Sequence, residues 1–343
     1  MIRINLGLQG GGAHGAFTWG VLDRLLEEED IEVAAITGTS AGAMNAAAFK
    51  AGLLAGGRAG AKKNLDWFWA QVGAINAPWI QDWLAALAPS VRGMATLLEM
   101  SPGFQAFEAM ARTTSPYVYG PMLRNPLARI LDDLRFEDVC SAEGPRLFVG
   151  ATNVRSGKIR VFSGDEITND ALMASACLPT LFQAVEIFDP ATDRTEAFWD
   201  GGYSGNPALF PLYDKDLPDD VLIVSINPIV RDTLPKTPEA IANRINEISF
   251  NTSLLRELRS VDFVRRLLAD HRVAPGTMKR VLIHMIDADA LMNDLNVATK
   301  TIPVPIVLAR LKAAGRAAMD DFLTAHKADL GQHDTVDLRA MFS

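Results

Sequence analysis

The pentapeptide Gly38-Thr39-Ser40-Ala41-Gly42 has the G-x-S-x-G spacing of a serine held at a strand-to-helix corner. Small flanking residues leave room for the strained turn that projects the hydroxyl, and the following helix directs its positive end at it. Such a serine needs a base, and donors for the oxyanion formed when it attacks an acyl carbonyl. A second cluster, Gly10-Gly11-Gly12-Ala13-His14-Gly15, satisfies G-x-G-x-x-G. As a dinucleotide fingerprint it would require an acid about 20 residues on, at the end of the second strand. Glu32 falls at the end of the intervening helix instead, and the second strand runs into the serine turn. The loop therefore reads as a set of backbone donors for an oxyanion, with a nicotinamide oxidoreductase as the competing reading of another class. Loops that follow neighbouring parallel strands meet at one sheet edge, so the two glycine segments are expected side by side.

A histidine held by a carboxylate is the usual base for serine. Here His271 follows a helix, His284 is mid-strand in an apolar run, and His326 and His333 lie near the C-terminus. His14 lies inside the glycine loop and could approach the serine, although ordinary packing is the first reading for it too. Phe198-Trp199-Asp200-Gly201-Gly202 is more informative. Its aspartate ends an apolar strand before two glycines, and burial would raise its pKa into the range of a base. Aspartate before glycine is also a common hairpin turn.

The elements that must carry these groups alternate. Ile2–Leu8 reads as a buried strand, Gly15–Glu29 as an amphipathic helix, Val33–Thr37 as a strand and Ala41–Leu54 as an alanine-rich helix, with another helix over Ala61–Val72. Strand-loop-helix repetition predicts a parallel sheet covered by helices. The stretch 67–119 is apolar and poorly periodic, with Trp67, Trp69, Trp79 and Trp83, and reads as an insertion that covers something. The pattern resumes with a helix to Leu134, strands at Leu147–Val154 and Lys158–Phe162, a helix over Asn169–Cys177, and strands at Gln183–Phe188, Thr195–Trp199 and Val221–Asn227. A long helix over Pro238–Leu268, a strand at Val281–Ile286 and a helix over Pro305–Leu330 close the chain.

Composition bounds the partners. With 33 Lys and Arg against 41 Asp and Glu, the net charge is −8, and no basic run is present, which argues against nucleic acid. Cys140 and Cys177 make no disulfide framework, and the five histidines show no metal-ligand spacing, so no metal and no cofactor are expected. The N-terminus lacks a signal-peptide core, and no run reaches the ~18 apolar residues of a spanning helix. The expected location is cytoplasmic, with room for peripheral contact at a membrane or lipid surface.

Taken together, Gly10–Gly15, the turn at 38–42 and Asp200-Gly201-Gly202 resemble the patatin-like phospholipase family, in its order. Ala174-Ser175-Ala176-Cys177-Leu178-Pro179 and Asn206-Pro207 add to the likeness, which runs from residue 2 to about 230. The resemblance implies one three-layer α/β/α domain with a mostly parallel central sheet, carrying the insertion at 67–119 and a helical C-terminal extension at about 237–343. It implies a Ser40–Asp200 dyad without histidine, an oxyanion held by N–H groups around Gly11 and Gly12, no metal, and release of fatty acids from phospholipid or related lipid esters. One departure is His14, where the family's loop commonly carries Arg or Lys. A Ser-His-Asp esterase and a non-catalytic lipid-binding module are the remaining alternatives.

Overall fold

The computed structural model describes residues 1–75, 90–119, 125–274, 276–287 and 289–342. Its elements are β1 (Ile2–Leu8), α1 (Ala16–Leu25), β2 (Ile31–Thr39), α2 (Ala41–Gly73), α3 (Val91–Glu99), α4 (Pro102–Thr113), α5 (Pro116–Tyr119), α6 (Leu127–Asp132) and α7 (Phe136–Cys140). There follow β3 (Arg146–Asn153), β4 (Ile159–Ser163), α8 (Asn169–Ser175), β5 (Val185–Asp189), β6 (Arg194–Asp200), β7 (Asp220–Val224), α9 (Pro238–Ala269), β8 (Leu282–Ile286), α10 (Asp289–Asn293), α11 (Val297–Thr301), α12 (Pro305–His326) and α13 (Leu338–Met341).

One sheet runs in the order β5-β6-β3-β2-β1-β7-β8, with β4 also on β3. The β3-β2-β1-β7-β8 part is parallel, and β4, β5 and β6 join antiparallel. Both faces are covered, which is why β7 is apolar at Val221, Leu222, Ile223 and Val224 in succession. Leu222 and Val224 join Leu6, Leu8 and Ile36 in a core with Phe17 and Leu22 of α1, Phe49 of α2 and Leu311 of α12. Val221 and Ile223 join Ala35 and Ile283 in a second core with Leu254, Leu258 and Val261 of α9. The result is the expected α/β/α layering around a mostly parallel sheet.

The helices expected at 41–54 and 61–72 lie in one run, Ala41–Gly73, broken where Gly56 and Gly57 leave helical geometry. Of the tryptophans in the apolar stretch, Trp69 is buried core, stacked near Trp19, and its Nε1 donates to Asn45 Oδ1 at 2.9 Å. Trp79 and Trp83 lie outside the described residues. Poor periodicity between 90 and 119 reflects three short helices in place of one. Two of them are capped by side chains: Ser90 accepts from Gly93 N and Ser101 from Phe104 N.

The feature that matters most for the site is a shared strand edge. On β3, Phe148–Thr152 pair with β4 along one edge. The other edge is divided: Arg146–Gly150 pair with β2, and Ala151–Asn153 pair with β6. Since β2 runs parallel to β3 and β6 antiparallel, the two strands point at each other and end one residue apart, Thr39 opposite Gly150 and Asp200 opposite Ala151.

Candidate active site

Ser40 follows the last residue of β2 and precedes the first of α2. Its φ of 52° is a left-handed conformation that a non-glycine residue holds only when its surroundings enforce it. Those surroundings are backbone. A Cβ at Gly42 would lie 2.2 Å from Leu8 O, and one at Gly38 would lie 2.8 Å from Ala43 N. The elbow therefore packs against β1 and against its own helix so closely that no side chain fits at either position. Ser175, the last residue of α8, fixes the corner further: its Oγ accepts from Ser40 N at 2.9 Å and donates to Gly150 O at 2.7 Å.

Asp200 ends β6 across that gap. Its N–H donates to Cys177 O at 2.8 Å, its carbonyl accepts from Thr152 Oγ1, and its Oδ1 accepts from Gly202 N at 2.8 Å. Gly201 passes over Gly150, where a Cβ would meet the carbonyl at 2.2 Å. The carboxyl is 1% exposed and Ser40 7%. Burial pushes the Asp200 pKa up to about 6, against the opposing pull of the Gly202 amide and of a hydrogen bond from Ser40. Neighbouring Cys177 is pushed up to about 12 by burial and then by the charge of Asp200, so it stays a thiol at neutral pH.

The glycine loop follows β1, beside β2, so it does meet the serine turn: a Cβ at Gly10 would be 2.6 Å from that of Ser40, and one at Gly15 would be 2.6 Å from that of Ala41. Its donors are not equivalent. Gly10 N is taken by Asn206 Oδ1 at 2.6 Å. The amides of Gly11 and Gly12, at the open start of a 3₁₀ turn over Gly12–Gly15, donate to nothing among the described residues. Behind the loop lies a buried amide network. Asn227 Nδ2 donates to Gly10 O at 2.8 Å, and Gln9 Oε1 accepts from the backbone of Ile226 and Asn227. Gln9 Nε2 donates to Asn251 Oδ1 at 3.1 Å.

The other sequence candidates fall elsewhere. Glu32 lies not at the end of the helix, as expected, but at the second position of β2, at the end of the strands away from the glycine loop, where it pairs with Arg3, so it is not placed to reach a ribose. His284 is buried on β8 and meets Asp220 Oδ1 at 2.9 Å, but β1 and β7 stand between β8 and β2. At ~4.8 Å per strand that is roughly 14 Å from the serine strand. His14 is buried with Nε2 against Thr299 Oγ1 at 2.9 Å, and its pKa is held well below the usual histidine value by burial, then by Lys300 and Arg231. Asn227, Asn251, Thr299 and Lys300 escaped the sequence reading. No local spacing marks them, because each reaches the loop from a distant part of the chain. Among the described residues no helix is long and apolar enough to cross a membrane.

A family model described as patatin-like phospholipase matches residues 6–213. No curated protein matches the chain. Among solved structures, VipD from Legionella pneumophila aligns over 95% of this chain and 67% of its own, at 16% identity and a TM-score of 0.43. ExoU from Pseudomonas aeruginosa, solved in complex with SpcU, aligns over 93% of this chain at 15% identity and a TM-score of 0.33. This chain spans 52% of that ExoU chain.

Proposed function

Since the chain belongs to the patatin-like phospholipase family, we propose that it releases fatty acids from phospholipid or related lipid esters with Ser40 as nucleophile and Asp200 as base. Asp200 takes the hydroxyl proton as Ser40 Oγ attacks the acyl carbonyl. The oxyanion forms against the Gly11 and Gly12 amides, whose fixed dipoles stabilise it without reorganisation. Asp200 returns the proton to the leaving alcohol. A water then repeats the sequence on the acyl-serine, and the free acid departs. The substrate class is a phospholipid, a lysophospholipid or an acylglycerol, met at a membrane or lipid surface.

The observation that carries this reading is the pairing of two strand ends. Thr39 ends one ladder step from Asp200, and the serine that follows it, in an enforced left-handed turn, hydrogen-bonds to that buried carboxyl, whose pKa is raised to about 6. A carboxylate with that pKa is ionised at neutral pH yet basic enough to accept a proton in a transition state.

Ser40→Ala tests it directly. A fluorophosphonate probe should label the native protein and leave the variant unlabelled, and fatty-acid release from phosphatidylcholine vesicles, lysophospholipid and acylglycerol should vanish together. Retention of esterase activity by the variant would sink the assignment. Lipid binding without acid release by the native protein would favour a non-catalytic module.

A further inference from the structure

A cation sits behind the glycine loop without an acidic partner of its own among the described residues. The backbone of α11 packs directly on that loop: a Cβ at Gly12, where φ is +59°, would lie 2.4 Å from Lys300 O. The Lys300 side chain turns back under the loop, and its Nζ donates to Asn227 Oδ1 at 3.2 Å. Asn227 in turn donates to Gly10 O, and its Oδ1 would lie 3.7 Å from a Cβ at Gly11. One amide side chain therefore lies between the ammonium and Gly10 and Gly11 of the loop, and the Lys300 backbone itself packs on Gly12.

The charges around it offset it only in part. Glu247 of α9 is the carboxylate whose field reaches Lys300, but it is committed elsewhere. Arg231 binds it through two nitrogens, at 2.6 and 2.8 Å, and Arg244 through a third contact at 3.2 Å. Asp289 of α10 accepts from the backbone of Ile229 and Val230 and faces Arg231. His14, on the loop itself, is neutral. Among the described residues Lys300 makes no ion pair. A half-buried cation whose nearest carboxylate is shared with two arginines is incompletely compensated in the resting protein, and it gains when negative charge develops nearby.

We infer that Lys300 is a positioning residue of the proposed hydrolase, which through Asn227 holds the glycine loop in register and sets a positive potential behind the Gly11 and Gly12 amides for the oxyanion. The inference rests on the reading of Ser40 as nucleophile. Lys300 acts through the loop and touches no reacting atom. Burial brings its pKa down to about 8, opposed by Glu247 and assisted by Arg231. The ammonium is therefore lost as pH rises through about 8, and turnover should fall with it.

Lys300→Met, Lys300→Arg and Ser40→Ala are assayed in the full chain on a water-soluble p-nitrophenyl ester, with melting temperatures alongside. Lys300→Met should lower kcat by about 10- to 100-fold, somewhat less than loss of a direct oxyanion donor, with KM little changed. It should also slow fluorophosphonate labelling of Ser40 and abolish the fall in kcat above pH ~8, the limb assigned to the Lys300 ammonium. Lys300→Arg, which keeps the charge, should recover at least part of the rate. The inference is overturned if Lys300→Met stays within twofold of native kcat, or if Lys300→Arg is as slow as Lys300→Met at an unchanged melting temperature. If Lys300→Met does not fold, the native alkaline limb and the rate of Lys300→Arg decide alone. Inactive Ser40→Ala beside a fully active Lys300→Met rejects only the role of Lys300. Active Ser40→Ala rejects the hydrolase reading and this inference with it.

Discussion

At the scale of single residues, the carboxyl of Asp200 is kept at a cost. Its folded pKa is raised from 3.8 to about 6 by burial, so the folded state binds the proton more tightly than the unfolded chain does. The penalty is absent below pH 3.8, grows as pH rises, and is complete above about 6. A shift of about two units corresponds to roughly 3 kcal/mol. Asp200→Asn removes the charge while its side-chain oxygen can still accept from Gly202 N. The variant should melt higher than the native protein at pH 7–8, with the difference closing toward pH 4, as calorimetry across that range would reveal. It should also lose turnover by several orders of magnitude. In the native protein kcat/KM should rise with pH through about 6 as the base ionises, and a flat acidic limb would contradict the role given to Asp200. The two residues of this pair were legible because each stands at the end of a strand within a glycine-containing motif. Ser175 was visible only as part of a motif. The hydrogen bonds it makes to Ser40 N and Gly150 O depend on contacts 135 and 25 residues away, which no local spacing encodes.

At the scale of elements, the order of strands and helices could be read from periodicity, and the parallel sheet with helices on both faces followed from it. Less legible was how tightly the elements approach. Helices α1 and α12, almost 300 residues apart in sequence, meet at glycines: a Cβ at Gly20 would be 2.0 Å from Lys312 O, and one at Gly315 would be 2.0 Å from Phe17 O. A single methyl must push the helices apart. Gly20→Ala is expected to cost about 1–3 kcal/mol as overpacking, measurable as a lower urea midpoint at unchanged slope. Glycine inside a helical pattern reads locally as a weak spot; only the partner helix turns it into a contact. The break at Gly56-Gly57 is the opposite case. A Cβ there would meet nothing within 4 Å, so those glycines serve the turn of the chain and not a close neighbour.

At the scale of the whole molecule, the family match ends at residue 213, but the site does not. Asn227 and Asn251 hold the glycine loop, Ser253 Oγ accepts from Asn206 N at 3.1 Å, and Lys300 lies under the loop. β8 extends the sheet, and α12 covers α1. Removing residues 237–343 would strip both cores of one wall. The truncated chain is expected to lose its cooperative unfolding transition and its fluorophosphonate labelling together, and a truncated chain that melts cooperatively and still labels would contradict this. Sequence patterns could locate these segments as helices and a strand. They could not reveal that those helices are part of the site's scaffold, since the relevant side chains are ordinary asparagines, a serine and one lysine.

The divided edge of β3 has a consequence for how this site can vary. The two groups proposed to react, Ser40 and Asp200, are mounted on one ruler whose graduations are backbone hydrogen bonds. Substitutions in the surrounding core can shift the ruler as a unit, but the gap between the groups changes only in whole residues, each ~3.3 Å. Slipping β6 by a single residue would also turn its last side chain to the other face. The spacing of the proposed nucleophile and base is thus quantised, tolerant of repacking around it and intolerant of one inserted or deleted residue within either strand.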